Sequence, residues 1–485
     1  MYSNVVQAKL LLLLITIGVL IFDSWRRRRG RDGPPVNRML SVLALLSLYA
    51  YVNFGTFHLG TFAHIPDQFH YFLSSKYFHE IGYDGLYGAA LRADAEQTKP
   101  SFNHIEMARD LKTGGIIDAE ELRRSSEFRD RFSAERWREF REDVGFLGPA
   151  YSKEGWVQSL MDHGYNAPPS RVASEMLITN ALGRANHVSL NAIAIADGLM
   201  LALAGLASWR VFGTRATLLG GILLATDVSG FDWIGMAAFR YVWLALLVLG
   251  TCALERRHGF TAGLLFGAAV WWRLFPALFV AGLVLQAGIR TWRTRRLDRM
   301  DARMAAGLTL ATVYFVGLSF VLFDGAAVWV EFQRKIVIHA SKGVTLNHLG
   351  LQTLFGIEGW LLRTSQAAFG LTFLMLMPRV RPRQAVALGG LLLFAFGYVS
   401  SYDYGWVILL LIWDDRECES WQTGIWQSLV LAVVAVGAAI AAVSSYDIPV
   451  YDPLVYSGLS SALLLMFFLW TVRVVRESRL VPGLK

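Results

Sequence analysis

Two cysteines in 485 residues, Cys252 and Cys418, give no disulfide framework, and neither has neighbours at metal-ligand spacing. Charge is also scarce: 17% of residues are charged against 54% apolar, with 16 Trp, 30 Phe and a mean hydropathy of +0.40, which excludes an ordinary water-soluble domain. There is no Gly-rich phosphate loop, no dinucleotide fingerprint after a strand, no D-x-D pair to hold a metal–nucleotide sugar and no H-E-x-x-H zinc pair, so nucleotide chemistry is poorly supported. No internal repeat, long low-complexity tract or linker divides the chain.

What the chain has is apolar runs flanked by basic clusters. The formal charge is +8, and Lys and Arg gather at Arg26 to Arg31, Arg256/Arg257, Arg290 to Arg299, Arg379 to Arg383 and Arg473 to Arg479. That is the positive-inside pattern and not a nucleic-acid patch. Spans of about 20 apolar residues fall near 5–22, 38–55, 190–208, 216–233, 238–253, 303–323, 364–378, 385–400, 405–413, 424–443 and 454–473, the piece 405–413 being too short to cross alone. The first run, Val5 to Phe22, has its basic cluster after the apolar stretch and no small-residue cleavage site, so it reads as a retained helix.

Residues 260–289 are apolar, basic at both ends, and carry Arg273 and Pro276 in the middle. One straight helix would break the positive-inside rule, whereas two short helices turning near Arg273 satisfy it, and Pro276 breaks the chain there. The fold class is therefore all-α and polytopic, with about 11–13 transmembrane helices, some short or re-entrant. Residues 1–37 form an extra N-terminal helix with a basic cytoplasmic loop, and residues 38–485 the membrane domain, including a large extracytoplasmic loop at 56–189. That loop is aromatic from His64 to Tyr87, densely charged from Arg92 to Glu154, and mixed from Gly155 to His187; the charged part reads as solvated helices and not as a core.

Three places carry chemistry. The segment His64-Ile-Pro-Asp67-Gln-Phe-His70-Tyr71, followed by Gly85-Leu86-Tyr87, sets one carboxylate among aromatic residues. Partial burial would raise its pKa toward that of a general base, and an Asp just after Pro66 also suits a helix cap. Arg273 lies in an apolar run, where a permanent cation needs an anion: either a ligand phosphate or a structural partner. A second outer loop, about Phe323 to Arg363, offers Lys335, His339, Lys342, Asn347 and His348 as donors to a phosphate or to sugar hydroxyls, or as solvated loop residues. Arg240, beside Tyr241, is either a further anion contact or an interfacial anchor.

The run Arg240-Tyr-Val-Trp-Leu-Ala-Leu-Leu-Val-Leu, then Glu255-Arg-Arg, then Ala262-Gly-Leu-Leu-Phe-Gly-Ala-Ala-Val-Trp-Trp-Arg273-Leu-Phe-Pro276-Ala-Leu resembles the polyprenol-phosphate-mannose-dependent mannosyltransferase-like family of integral membrane glycosyltransferases, with the glycosyltransferase-C fold. That family usually has Lys where this chain has Arg273. Asp67, Tyr71 and Gly85-Leu86-Tyr87 are also similar, as are, more loosely, Leu346-Asn347-His348-Leu349-Gly350-Leu351 and Ser401-Tyr-Asp403-Tyr-Gly-Trp406. The extra N-terminal span and the charged insert at about 92–185 depart from the family.

The resemblance implies an inverting transfer of mannose or a related sugar from a polyprenyl-phosphate donor to a lipid-linked, glycan or protein acceptor, on the extracytoplasmic face of the cytoplasmic membrane. Asp67 would be the general base. Arg273, Arg240, Lys335 and Lys342 would hold the donor phosphate, and His70, Tyr71, Tyr87, His339, Asn347 and His348 the substrates. No cofactor and no protein-bound metal follow from these residues, which leave a divalent-metal requirement open. Membrane lipids are partners and nucleic acid is not. Two rival classes remain: a transporter or flippase of lipid-linked sugars, and an inactive scaffold whose insert binds a partner.

Overall fold

The computed structural model describes residues 2–31, 36–58, 60–229, 235–341, 347–356, 358–397, 400–412, 420–446, 448 and 452–480. These are overwhelmingly helical, and five helices are long and apolar enough to cross a membrane: Ser3–Arg28, His187–Phe212, Arg299–Leu322, Trp421–Val443 and Pro453–Arg476. Shorter apolar helices lie between them, among them Val36–Tyr51, Thr214–Thr226, Val242–Glu255, Gly259–Trp272 and Pro382–Phe396.

The chain shuttles between two ends of this bundle. At one end Arg28 stacks on Trp421 at 5.1 Å, Arg256 donates to the Arg210 carbonyl at 2.8 Å, and Arg383 pairs with Glu255 at 2.9 Å. There too Arg215 bridges Asp23 at 2.6 Å and Gln427 at 2.8 Å, which ties the first helix to the bundle. The basic residues Arg28, Arg256 and Arg383 thus share one end, and the 56–189 loop with its insert lies toward the other.

The hairpin expected at 260–289 is present: Gly259–Trp272 and Ala277–Thr294 turn through 273–276, with Pro276 just before the second helix. The Ala262-Gly263 run has a packing reason. A Cβ on Gly263 would come within 2.0 Å of the Met304 carbonyl oxygen, and one on Gly307 within 2.1 Å of that of Phe260. Helices Gly259–Trp272 and Arg299–Leu322 therefore meet backbone to backbone, which only residues without a side chain permit.

The short run expected at 405–413 lies, over its described residues, in a 3₁₀ helix, Ser401–Ile412, of 12 residues, about 24 Å at ~2.0 Å rise per residue and so still short of a ~30 Å hydrocarbon core. Two expectations are corrected. The loop placed at 323–363 contains a helix, Ala327–Ser341, which buries Val328, Phe332 and Lys335 on one side.

The charged stretch 92–154 is also a folded body and not solvated helices. Helix Ala134–Leu147 buries Trp137, Phe140, Val144 and Leu147, and Trp156 meets Phe69 and Phe102 with ring centroids 5.0 Å apart. An antiparallel pair, Met107–Arg109 with Ile116–Asp118, adds a small hairpin. Apolar residues one helical turn apart make this core, and the charges between them sit on the other face. Asp143 fastens it, accepting from Lys76 at 2.6 Å, Tyr77 at 2.7 Å and the Ala185 backbone N–H at 2.7 Å.

Candidate functional site

Pro66 fixes the first turn of a helix that begins at Ile65, with His64 extended before it. Asp67 falls inside that turn and makes no cap hydrogen bond, so the capping role is excluded. The chain continues as a π-helical turn, Gln68–Leu73, whose extra residue per turn rotates Tyr71 toward Arg240.

Asp67 and Arg240 form a buried ion pair, with Arg240 Nη2 donating to Asp67 Oδ1 at 2.7 Å. The other carboxylate oxygen, Oδ2, is buried without a hydrogen bond and has His64 Nδ1 at 3.7 Å. The guanidinium lies between two rings, 4.9 Å from Tyr71 and 4.6 Å from Tyr402. Burial by itself would raise the Asp67 pKa, but Arg240 and His64 outweigh it and hold the carboxyl well below the usual range. This corrects the expectation of a raised value: the desolvation is there, and the cation beside it wins.

The backbone that delivers Arg240 is strained. Met236 and Phe239 both adopt left-handed conformations, at φ 58° and 52°, which bulky residues avoid. Donors from separate elements hold the segment: His64 N–H to the Met236 carbonyl at 3.1 Å, Arg171 to that of Ala238 at 3.0 Å, and Trp272 Nε1 to that of Phe239 at 3.1 Å. Asp197, from the middle of apolar helix His187–Phe212, accepts the Arg240 and Tyr241 backbone N–H groups at 2.7 and 2.9 Å. Behind Tyr71, Arg171 stacks at 4.7 Å and pairs with Glu175 at 2.7 Å, and Tyr165 donates to the same carboxylate at 2.6 Å.

Arg273 sits at the hairpin turn and pairs with Asp403, whose Oδ1 is buried without a hydrogen bond. Asp403 is an electrostatic neighbour of Arg240, and Tyr402 of both arginines. Asp67, Tyr71, Arg240 and Arg273, scattered over the sequence, thus converge with Tyr402 and Asp403 at the insert-bearing end.

Of the other candidates, His70 has Asp67 and Arg240 as electrostatic neighbours. His70 and Tyr87 bond to each other at 2.9 Å, and Tyr87 donates to the Ser159 carbonyl at 2.8 Å; both are buried inside the insert, where their polar atoms serve its core. Lys335 is 4% exposed and donates to the Leu111 carbonyl at 3.3 Å, so it seals the contact between its helix and the insert instead of reaching the arginines. His348 is buried on Thr353 at 3.1 Å, and its bridge to Ser400 sets it and Asn347 beside the 400–404 turn. Lys342 and the side chain of His339 lie outside the described residues.

The site also recruits residues that sequence reasoning passed over, Asp197, Arg171 and Glu175, and it gives Tyr402 and Asp403, noted in sequence for a resemblance alone, their partners. A lone acid inside an apolar helix marks Asp197, and i,i+4 spacing marks the Arg171–Glu175 pair. Among the described residues no group of three or more His, Cys, Asp and Glu could hold a metal ion. Chemically the arrangement offers one carboxylate oxygen, Asp67 Oδ2, with spare accepting capacity beside Arg240, and a second Arg–Asp pair that shares Tyr402 with it as an electrostatic neighbour. No family model, no curated protein and no solved structure matches this chain.

Proposed function

We propose that the chain is a membrane glycosyltransferase with a glycosyltransferase-C-like bundle, moving mannose or a related sugar from a polyprenyl phosphate to an acceptor hydroxyl on the extracytoplasmic side of the cytoplasmic membrane. The observation that carries this is the convergence of two Arg–Asp pairs around Tyr402. An acceptor hydroxyl needs a base on one side of the sugar, and the departing lipid phosphate needs fixed positive charge on the other.

Asp67 Oδ2 takes the acceptor proton as the hydroxyl oxygen attacks the anomeric carbon, the bond to the lipid phosphate breaks, and Arg273 and Arg240 hold the phosphate released. The displacement is single and inverts the anomeric centre. Arg240 links the two halves. While it pairs with Asp67 the carboxylate is a weak base; when a donor phosphate draws the guanidinium away, burial strengthens that base. The basic clusters gathered at the opposite end favour this orientation.

Transfer of labelled sugar from polyprenyl-phosphate donors to membrane acceptors tests the proposal with wild type, Asp67→Asn and Arg273→Ala, folding being checked for each. Loss of transfer in both variants supports it, with a fall of about 10²–10⁴ for removal of the base. Undiminished transfer by Asp67→Asn removes the assignment of the base. Movement of a lipid-linked sugar across vesicles without covalent change points to a flippase.

A further inference from the structure

A base that accepts a proton must lose it before the next turnover. Asp67 has no direct way to do so, because it is buried and Oδ2, its oxygen without a hydrogen bond, is buried with it. Arg240 against Oδ1 at 2.7 Å holds the carboxyl well below its usual range, so with the guanidinium in place the acid form gives its proton up readily. An imidazole ordinarily holds a proton more tightly than a carboxyl and is the usual shuttle near neutral pH.

Two histidines lie on the way out. His64 Nδ1 is 3.7 Å from Asp67 Oδ2, a separation that substrate binding commonly closes. The His58 ring comes next, its centroid 5.0 Å from that of His64. His64 is buried and His58 half-buried, and Phe54, Gly55, Thr56 and Gly60 around His58 are exposed. The pair thus leads from the buried carboxylate to the surface of the outer loop.

Both histidines are fastened to the strained segment that delivers Arg240. The His64 backbone N–H donates to the Met236 carbonyl at 3.1 Å, and His58 Nε2 donates to the Gly235 carbonyl. Thr61 pins the loop, its hydroxyl donating to the His58 carbonyl at 3.1 Å. With Nε2–H on a carbonyl, neutral His58 keeps its lone pair on Nδ1, ready to accept. His64 therefore faces Asp67 one turn on, Arg240 beyond it and His58 from the preceding loop. His70 also neighbours Asp67 and Arg240, but it bonds to buried Tyr87 at 2.9 Å and opens no route outward.

Resting on the transferase reading above, we infer that His64 and His58 relay the acceptor proton from Asp67 to solvent, with His64 as the positioning residue that resets the base. As the acceptor O–H bond breaks, its proton goes to Asp67 Oδ2, and the electrons of the bond between the anomeric carbon and the phosphate oxygen leave with the phosphate. When the phosphate departs and Arg240 returns to Oδ1, the Oδ2–H bond breaks and His64 Nδ1 takes the proton. The imidazolium passes a proton to His58, and His58 passes one to water. Both histidines end neutral, Asp67 ends ionised, and one proton has left the site for each sugar moved.

Transfer of labelled sugar in nanodiscs, followed from the first turnover onward, tests this with wild type, His64→Gln, His64→Ala, His58→Gln and Asp67→Asn, each checked by thermal melting. Glutamine keeps a polar group at position 64 and leaves the backbone bond to Met236 in place, but it does not ionise. His64→Gln should give a burst of one product per protein and then a steady rate about 10²-fold below wild type, the low end for a proton-transfer step, with KM for the acceptor unchanged. His58→Gln should slow in the same phase. Added imidazole should restore the steady rate of His64→Ala, and Asp67→Asn should show neither burst nor rescue.

A steady rate equal to wild type in either glutamine variant overturns the relay and leaves the transferase reading standing. So does a loss that falls equally on the first and later turnovers and that imidazole does not restore, because a merely structural histidine behaves that way. No transfer by wild type from any polyprenyl-phosphate donor overturns both.

Discussion

Replacing Arg240 by Gln isolates the electrostatics of the Asp67 pair. The two side chains are 7% and 6% exposed and 2.7 Å apart, so the substitution leaves a carboxylate in the same desolvated position without its main counter-charge. Removing one partner of such a pair costs about 3–5 kcal/mol. The pH dependence carries the sharper signature. In the wild type the folded-state pKa of Asp67 is depressed, so its contribution is fully present above the unfolded value of about 3.9 and is lost only as pH falls toward the folded one. Stability should then be insensitive to this pair between pH 5 and pH 8.

In Arg240→Gln burial dominates and the carboxyl titrates upward, so its ionisation opposes folding at neutral pH and the opposition is relieved on acidification. Melting temperatures of a fluorescent fusion, followed by size-exclusion chromatography at pH 5, 6, 7 and 8, give the measurement. Arg240→Gln should melt lower than wild type at pH 7, with the gap narrowing toward pH 5. The double variant Asp67→Asn/Arg240→Gln should recover most of the loss and show no such slope. A gap that is constant with pH, or a double variant no more stable than the single one, refutes the reasoning.

Burial pushes the Lys335 ammonium down to about 8 despite nearby Asp84 and Asp162. A cation with a lowered folded pKa binds fewer protons folded than unfolded, so stability should rise with pH from about 8 to about 10.4. Lys335→Met should stabilise the protein at pH 7 by up to about 3 kcal/mol and flatten that rise in thermal melts. Gly263→Leu should split the helix contact at Met304 and collapse the yield of monodisperse protein, whereas Gly288→Ala, which meets nothing within 4 Å, should leave it intact. Asp143→Asn strips Lys76 of its counter-charge inside the insert, and limited proteolysis should cut residues 92–154 faster than in wild type while the membrane helices stay protected.

The long apolar helices, the hairpin around Arg273 and the unusual placing of Asp67 and Arg273 among apolar and aromatic residues were legible in the sequence. Each rests on a local rule: apolar length, the placement of basic clusters, a proline between opposed flanks, or a charge too costly to leave in an apolar run. Local rules were silent about pairing. That Arg240 meets Asp67 across 173 residues, and that Arg273 meets Asp403 instead of standing free, follows only from how the helices pack.

The same holds for the corrections. Partial burial of Asp67 could be read from its neighbours, but the sign of its shift depends on a guanidinium far along the chain. Sequence offers His70 and Tyr87 as binding groups, and only the fold shows that they bond to each other and that Tyr87 bonds to the Ser159 carbonyl. The sequence alone determined which segments enter the bundle and which end each faces, because hydropathy and charge act residue by residue. Tertiary structure decided which charges neutralise one another, because that depends on distances between segments that no local pattern specifies.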